Sequence, residues 1–374
     1  MYKIYVRNRC KVHVNAICQL FFIFFQFWQF SLVEYLKMGT LTARRIFRRP
    51  LPTTASLIAA WHPSCIKPST ETLHKRHAQH SAVHDMLQKQ KYDNLYNIDI
   101  SKINVDSIKA EFLQHGGGSI SLSKDNETGI AKITLSNPKI RGAISGKMMC
   151  DLHDAILDLE GWNEGKGLIL LSDDPKFFSS GADLKFAKAH DSHEGGYKMS
   201  TLMHDSLWRL TFLPYLTVSL VKGRAIGGGA ELCTATDFRV FSPSGSVTFV
   251  QSKMGLTTGW GGGSRLVKIV GQREALKALV KSQEIDAKEA SELGLCDLVT
   301  YAEDKAIYET ENWLNTNYLE NKDIDVIKGM KSICLQANFG SDLEECLEHE
   351  KLVFTKSWGG EAFHSAVSRK IKHR

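Results

Sequence analysis

Two stretches of this chain have the residue types needed to hold a negatively charged oxygen: Lys176-Phe177-Phe178-Ser179-Ser180-Gly181-Ala182-Asp183 and Gly223-Arg224-Ala225-Ile226-Gly227-Gly228-Gly229-Ala230-Glu231. Small residues at Ala182, Gly227, Gly228 and Gly229 let a substrate oxygen approach the backbone closely, where a bulky side chain would block it. A turn that opens a helix leaves N–H groups unpaired and aimed at whatever anion lies there. Two such turns brought together would make an oxyanion hole able to hold an enolate. Glu231, three residues after Gly228, comes about one helical turn later, so its carboxylate can face the same space.

The elements that must position these turns are legible on either side. Leu168-Ile169-Leu170-Leu171 and Thr217-Val218-Ser219-Leu220-Val221 read as buried strands, each passing through glycines into a helix-like segment. Strand, turn and helix recur through 167–183, 197–213, 217–236 and 237–250. Ahead of them, residues 119–124 and 129–135 read as a hairpin stopped at Asn137-Pro138. A helix fits 145–160, with Met149, Leu152, Ile156 and Leu159 on one face. After Gly263 helices are expected at 266–270, 274–280, 287–293, 305–319, 324–337 and 343–356. Asp183 is placed to cap the helix that follows it. Gly261-Gly262-Gly263 has no Walker lysine following it and reads as a turn, not a phosphate loop.

From Gly118 to the end, the chain resembles the crotonase (enoyl-CoA hydratase/isomerase) superfamily. The resemblance rests on the two stretches above and on Gly118-Ser119-Ile120, 159–169, Thr258-Gly259-Trp260-Gly261-Gly262 and Ser357-Trp358-Gly359-Gly360. It implies an α/β fold, the ββα superhelix of crotonases with a C-terminal helical trimerisation region. It also implies a homotrimer or hexamer and an acyl-CoA thioester substrate of which coenzyme A is a part, with no metal or organic cofactor. By position, the two oxyanion donors are the N–H groups of Ala182 and Gly228. Lys139 and Arg141 fall in the stretch that contributes to coenzyme A binding, where cations suit phosphates. Ala143, Ser180, Gly181, Asp183, Leu184 and Gly227 complete the substrate surroundings that the resemblance implies. Gly142 stands where asparagine is common in the family, and Thr258 where proline is usual.

Hydratases of the family grip a water between two glutamates. Glu231 matches the first, but the second falls on Lys253, so one of the two acid/base groups that hydration needs is missing. Decarboxylation of a malonyl-type thioester asks for less: a polarised carbonyl, a carboxylate held out of its plane, and later a proton. The resemblance within the superfamily points the same way, to decarboxylation of ethylmalonyl-CoA or methylmalonyl-CoA in a metabolite-repair role. Trp260 and Met254 are candidates for an apolar wall against the substrate carboxylate. Glu231 is expected to protonate the enolate or, as a carboxylate, to discourage the substrate carboxylate from settling beside it, with the first role favoured; a bond to backbone or to a neighbouring arginine such as Arg239 is the structural alternative. Lys253 is expected near the substrate, turned from the reacting carbon or paired with an acid. An enoyl-CoA hydratase or isomerase of fatty-acid oxidation is the second reading, and a non-catalytic CoA-binding scaffold the third.

The chain's charge of +6 is unevenly placed: residues 1–90 carry 13 Lys/Arg and 3 Asp/Glu, which leaves the remainder at −4. A nucleic-acid partner is therefore not expected for the globular part. The eight cysteines show no C-x-x-C pair or metal-like spacing, the pattern of a reduced compartment. Residues 12–33 lack charged side chains, and membrane association is expected only if they are translated and retained. From Met38, arginines 44, 45, 48 and 49 precede any acidic residue, as in a mitochondrial presequence, while the resemblance implies cytosol. His74, His77, His80 and His84 lack metal-site partners and read as a solvated stretch. The expected organisation is 1–37 apolar segment, 38–110 basic extension, 111–317 crotonase core and 318–374 helical region.

Overall fold

A computed structural model describes residues 103–340 and 342–368. The apolar segment 12–33, the arginine-rich stretch after Met38 and the four clustered histidines lie outside the described residues.

The first element is helix α1 (Val105–Phe112), closed at its start by a capping box between Asn104 and Ser107, with Ile108 and Phe112 buried on one face. The expected boundary between residues 110 and 111 falls inside it. Strands β1 (Ser119–Asp125) and β2 (Ile130–Ser136) form the hairpin, and β1 is its partly exposed edge. Ser145 caps helix α2 (Gly146–Glu160) through its hydroxyl, which accepts from the Met148 N–H. The next strands come in pairs: β3 (Gly167–Ser172) with β4 (Phe177–Ser179), β5 (Leu216–Val221) with β6 (Arg224–Ile226), and β7 (Phe238–Phe241) with β8 (Ser246–Thr248).

The first member of each pair joins a six-stranded sheet of order β1-β2-β3-β5-β7-β10, where β10 is Leu298–Val299. The second joins a four-stranded sheet of order β4-β6-β8-β9, where β9 is Ile285–Asp286. After each pair the chain crosses back through helix: α3 (Leu184–Ala189) and α4 (His193–Phe212), then α5 (Gly228–Cys233), then a 3-10 turn at Gln251–Met254 and α6 (Gly262–Lys281). This is the ββα winding expected from the sequence. β3 is buried at every position, as a central parallel strand covered on both faces must be. Leu168 and Leu170 face one core with α2 and α4. Ile169 and Leu171 face another, closed by α8 (Ala306–Leu314), the π-helical turn 315–319 and α9 (Ile324–Phe339).

Several boundaries differ from expectation. The segments read as separate helices, 266–270 and 274–280, are one run with a break at Gly271, whose φ of 78° admits glycine readily. α4 starts at His193, not near 197, because the Ser192 side chain accepts from the Gly195 N–H. α7 (Ala287–Glu292) is capped by Asp286, and α10 (Leu343–Ser357) by Asp342. A further helix, α11 (Glu361–Ser368), was not anticipated, and neither α10 nor α11 has a buried residue. Among the described residues no helix is long and apolar enough to cross a membrane.

Candidate active site

The register of the smaller sheet brings the two turns together. β4 and β6 run parallel with Ser179 opposite Ala225, and each candidate donor stands three residues beyond that pair, at Ala182 and Gly228. Both turns need glycine: Gly181 has φ 91° and Gly227 φ 56°. They also touch, since a methyl group on Gly181 would lie 2.9 Å from the Gly228 nitrogen. Ala182 is bracketed by a parallel bridge to Ile144: the Ile144 N–H donates to the Gly181 carbonyl at 2.8 Å, and the Asp183 N–H to the Ile144 carbonyl at 2.9 Å. Among the described residues no acceptor pairs with the N–H of Ala182 or of Gly228. Two unpaired backbone donors thus lie side by side.

Asp183 caps α3, its carboxylate accepting from the Lys185 N–H at 2.8 Å. Leu184 is 62% exposed at the start of that helix. The stretch carrying Lys139, Arg141 and Ala143 is tied to the hole: the Ser180 N–H donates to the Arg141 carbonyl at 3.1 Å and the Ser179 hydroxyl to the Gly142 carbonyl at 2.8 Å. Ala143 is buried, its carbonyl accepting from the Asn137 amide at 2.7 Å. Lys139 and Arg141 are exposed, and Arg141 lies 5.8 Å from the centre of the Phe177 ring.

On the other side, Trp260 is buried and its indole lies over Gly228, where a methyl group would meet the ring at 2.5 Å. α5 presses on β4 just as tightly, since a methyl on Gly229 would fall 2.3 Å from the Ser179 carbonyl oxygen.

Glu231 does not have the freedom expected of a proton donor. One carboxylate oxygen accepts from the Gln251 amide at 2.8 Å and the Gly259 N–H at 3.2 Å; the other accepts from the N–H groups of Trp260 at 2.8 Å and Gly262 at 2.9 Å. Every partner is a donor, an arrangement that fits a carboxylate and offers no acceptor for a carboxyl proton. Glu231 therefore locks the loop that lays Trp260 on Gly228. The structural alternative holds in its backbone form, through the N–H groups of Gly259, Trp260 and Gly262, and not through Arg239, which is turned away to the carbonyls of Leu295, Thr236 and Asp237. The arginine beside Glu231 is Arg265, which donates to the backbone carbonyls of Glu231 at 3.1 Å and Trp260 at 2.8 Å. Burial pushes its guanidinium down to about 10, against the pull of Glu231.

Lys253 is paired with a carbonyl and not with an acid: its ammonium donates to the Ser282 carbonyl at 2.8 Å, at the C-terminal end of α6. Met254 is 57% exposed, unlike the buried Trp260, the other candidate for the wall. Gly261 is the left-handed N-cap of α6, so the triple glycine is a helix start and not simply a turn. Gln251 and Arg265 were not anticipated, because their partners lie 20 and 34 residues away in sequence. His204 on α4 was missed as well. Its ring lies near Gly261, it bonds the Gly259 backbone, and desolvation followed by the charge of Arg265 holds it below the usual histidine value. The thiols of Cys150, Cys233 and Cys296 are raised by burial to about 11, 12 and 11, which leaves them inert as nucleophiles. Among the described residues no group of His, Cys, Asp and Glu could hold a metal ion.

A ββα winding that sets two free N–H groups at adjacent helix starts defines a class of enzyme built to polarise an acyl oxygen. The chain belongs to the enoyl-CoA hydratase/isomerase family, which it matches over residues 125–369. Among characterised proteins it is 40% identical to the ethylmalonyl-CoA decarboxylase of Xenopus laevis over 75% of this chain and 92% of that one. It is 39% identical to that of Gallus gallus over 77% and 95%. Solved structures share the fold: an enoyl-CoA hydratase from Bacillus anthracis has a TM-score of 0.60 at 23% identity, covering 65% of this chain and 92% of that one. Another, from Polaromonas sp. JS666, has a TM-score of 0.61 at 22% identity, covering 69% and 100%.

Proposed function

We propose that the protein decarboxylates ethylmalonyl-CoA, and methylmalonyl-CoA with it. The observation that carries this reading is the pair of unpaired N–H groups at Ala182 and Gly228 in a site whose acid/base candidates are otherwise engaged. The thioester oxygen sits between the two donors. As the bond from the α-carbon to the carboxylate breaks, its electrons flow into the thioester, CO₂ departs, and an enolate oxygen takes the charge. Each donor is worth about 3 kcal/mol of transition-state stabilisation. Trp260 excludes water from the hole, so the substrate carboxylate is poorly solvated beside it and its loss is favoured. Once CO₂ has left, a proton from solvent adds to the α-carbon of the enolate, which gives butyryl-CoA from ethylmalonyl-CoA. Lys139 and Arg141 offer cations to the phosphates of coenzyme A, and Ala143, Ser180, Gly181, Leu184 and Gly227 line the acyl and thioester path.

Hydration would need two free acid/base groups around one water. Glu231 is held by four donors and Lys253 by a carbonyl, which supports decarboxylation over the hydratase reading. Assembly into a trimer or hexamer and a cytosolic metabolite-repair role complete the proposal. The test is to incubate the protein with ethylmalonyl-CoA and separately with crotonyl-CoA. CO₂ release with butyryl-CoA as product, and no hydration, is expected. Hydration without CO₂ would overturn the reading, and silence in both assays would favour the scaffold.

A further inference from the structure

We infer that α1, which precedes the part of the chain matched by the family, is a brace for the Ala182 donor, and that Phe112 is a positioning residue acting through Phe186 and Gly146. The inference rests on the proposed enolate-holding role of the hole. Ala182 has a neighbour to steady on each side: Ile144, which brackets it through two backbone bonds, and α3, which begins two residues after it. The segment from α1 to Gly118 touches both.

On the first side, the Ser145 hydroxyl donates to the Gly117 carbonyl at 2.5 Å and the Lys147 N–H to the His115 carbonyl at 3.0 Å. The fit at Gly146 is so close that a methyl group there would fall 2.6 Å from the Phe112 carbonyl oxygen and 2.9 Å from the Phe186 ring. On the second side, α3 buries a single residue, Phe186. The ring of Phe112 meets it edge to face, with centroids 4.7 Å apart. His190, the C-cap of α3, stacks on Phe186 at 4.3 Å and lies 3.3 Å from the Glu111 carboxylate, which also pairs with Lys198 of α4 at 2.9 Å. α1 is itself anchored by Ile108 in the core and by an ion pair from Lys109 to Asp154 of α2.

The consequence is geometric. Phe112 is fully buried, with its ring against Phe186 and His190 and its carbonyl oxygen against Gly146. Removing its ring frees α3 and the 144–146 segment to shift relative to each other, and the Ala182 N–H shifts with them. An error of this kind at a hydrogen-bond donor weakens transition-state stabilisation more than substrate binding.

The experiment uses the full chain with Phe112→Ala, Phe112→Leu and Gly146→Ala, and two readouts. One is the infrared carbonyl band of carbonyl-labelled butyryl-CoA bound to each protein, which moves to lower frequency as the two donors polarise it. The other is kcat and KM for CO₂ release. We expect F112A to lose most of the band displacement and about tenfold in kcat while KM stays within about threefold. F112L, which refills the corner, should recover both. Gly146→Ala, whose methyl would press on both the Phe112 carbonyl and the Phe186 ring, should reproduce the F112A band and is the second variant should F112A fail to fold. An F112A protein with the wild-type band and kcat overturns the brace, as does an F112L loss equal to that of F112A. A wild-type protein that displaces the band but releases no CO₂ refutes the decarboxylase reading alone, and the brace is then decided on the band. If wild type does not displace the band, both fall.

Discussion

The two halves of the oxyanion hole are built from unlike material. Around Gly228 the backbone is sealed in: Gly229 through Cys233 are buried, an indole covers the glycine, and a buried carboxylate with four donors fixes the loop that carries the indole. Around Ala182 the residues are half-buried, the following helix has six residues, and Leu184 beside the donor is 62% exposed. One donor is set by the packing of the sheet and helix core. The other depends on a bridge to Ile144 and one aromatic plug. The hole's precision is therefore limited on the Ala182 side, and variants on the two sides should fail differently.

The largest effect is expected at Gly228. Substitution by alanine drives a methyl group into Trp260 and displaces either the donor or the ring, and kcat for CO₂ release should fall by roughly 10²–10³, the scale for loss of one oxyanion donor. KM should move little. Proline at this position is a poor donor deletion, because its ring would meet the same indole. Glu231→Gln comes next. Its amide would present N–H groups to a nest of donors, and urea unfolding should show a loss of about 3 kcal/mol. Activity should fall through displacement of the loop, so the pH–rate profile of the residual activity should keep its shape; loss of one limb would restore Glu231 as the proton donor. Lys253→Met should leave kcat and KM within about twofold and cost about 1 kcal/mol, the scale of one part-buried hydrogen bond. A tenfold rise in KM would return Lys253 to the substrate. The smallest effect concerns His204. Because its value in the folded chain lies below the ordinary 6.5, the unfolded chain takes up the proton more readily, so stability falls as pH drops beneath 6.5. Thermal unfolding of His204→Gln should lack that part of the pH dependence.

The same contrast explains what could be read from the sequence. Small residues at fixed places after buried strands announced both turns, and helix α2 was legible to within one residue at its start, where Ser145 is the cap and not the first helical residue. The roles of Glu231 and Lys253 were not, because they depend on partners brought in from far along the chain. Glu231 looks available when only the turn of helix around it is considered, yet its donors come from 251–262. Lys253 lies where a catalytic glutamate would be, and only the fold shows it turned to Ser282. α1 was missed for a different reason: it sits at the end of a basic extension whose composition hid a capping box and two core residues, Ile108 and Phe112.

The bridge between Ile144 and Ala182 also gives the site a timescale. Its two amide protons, on Ile144 and Asp183, can exchange with solvent only when the bridge opens, and Ala182 is released in the same event. Their exchange rates in the resting protein therefore measure the free energy that keeps this donor in place, with no substrate present.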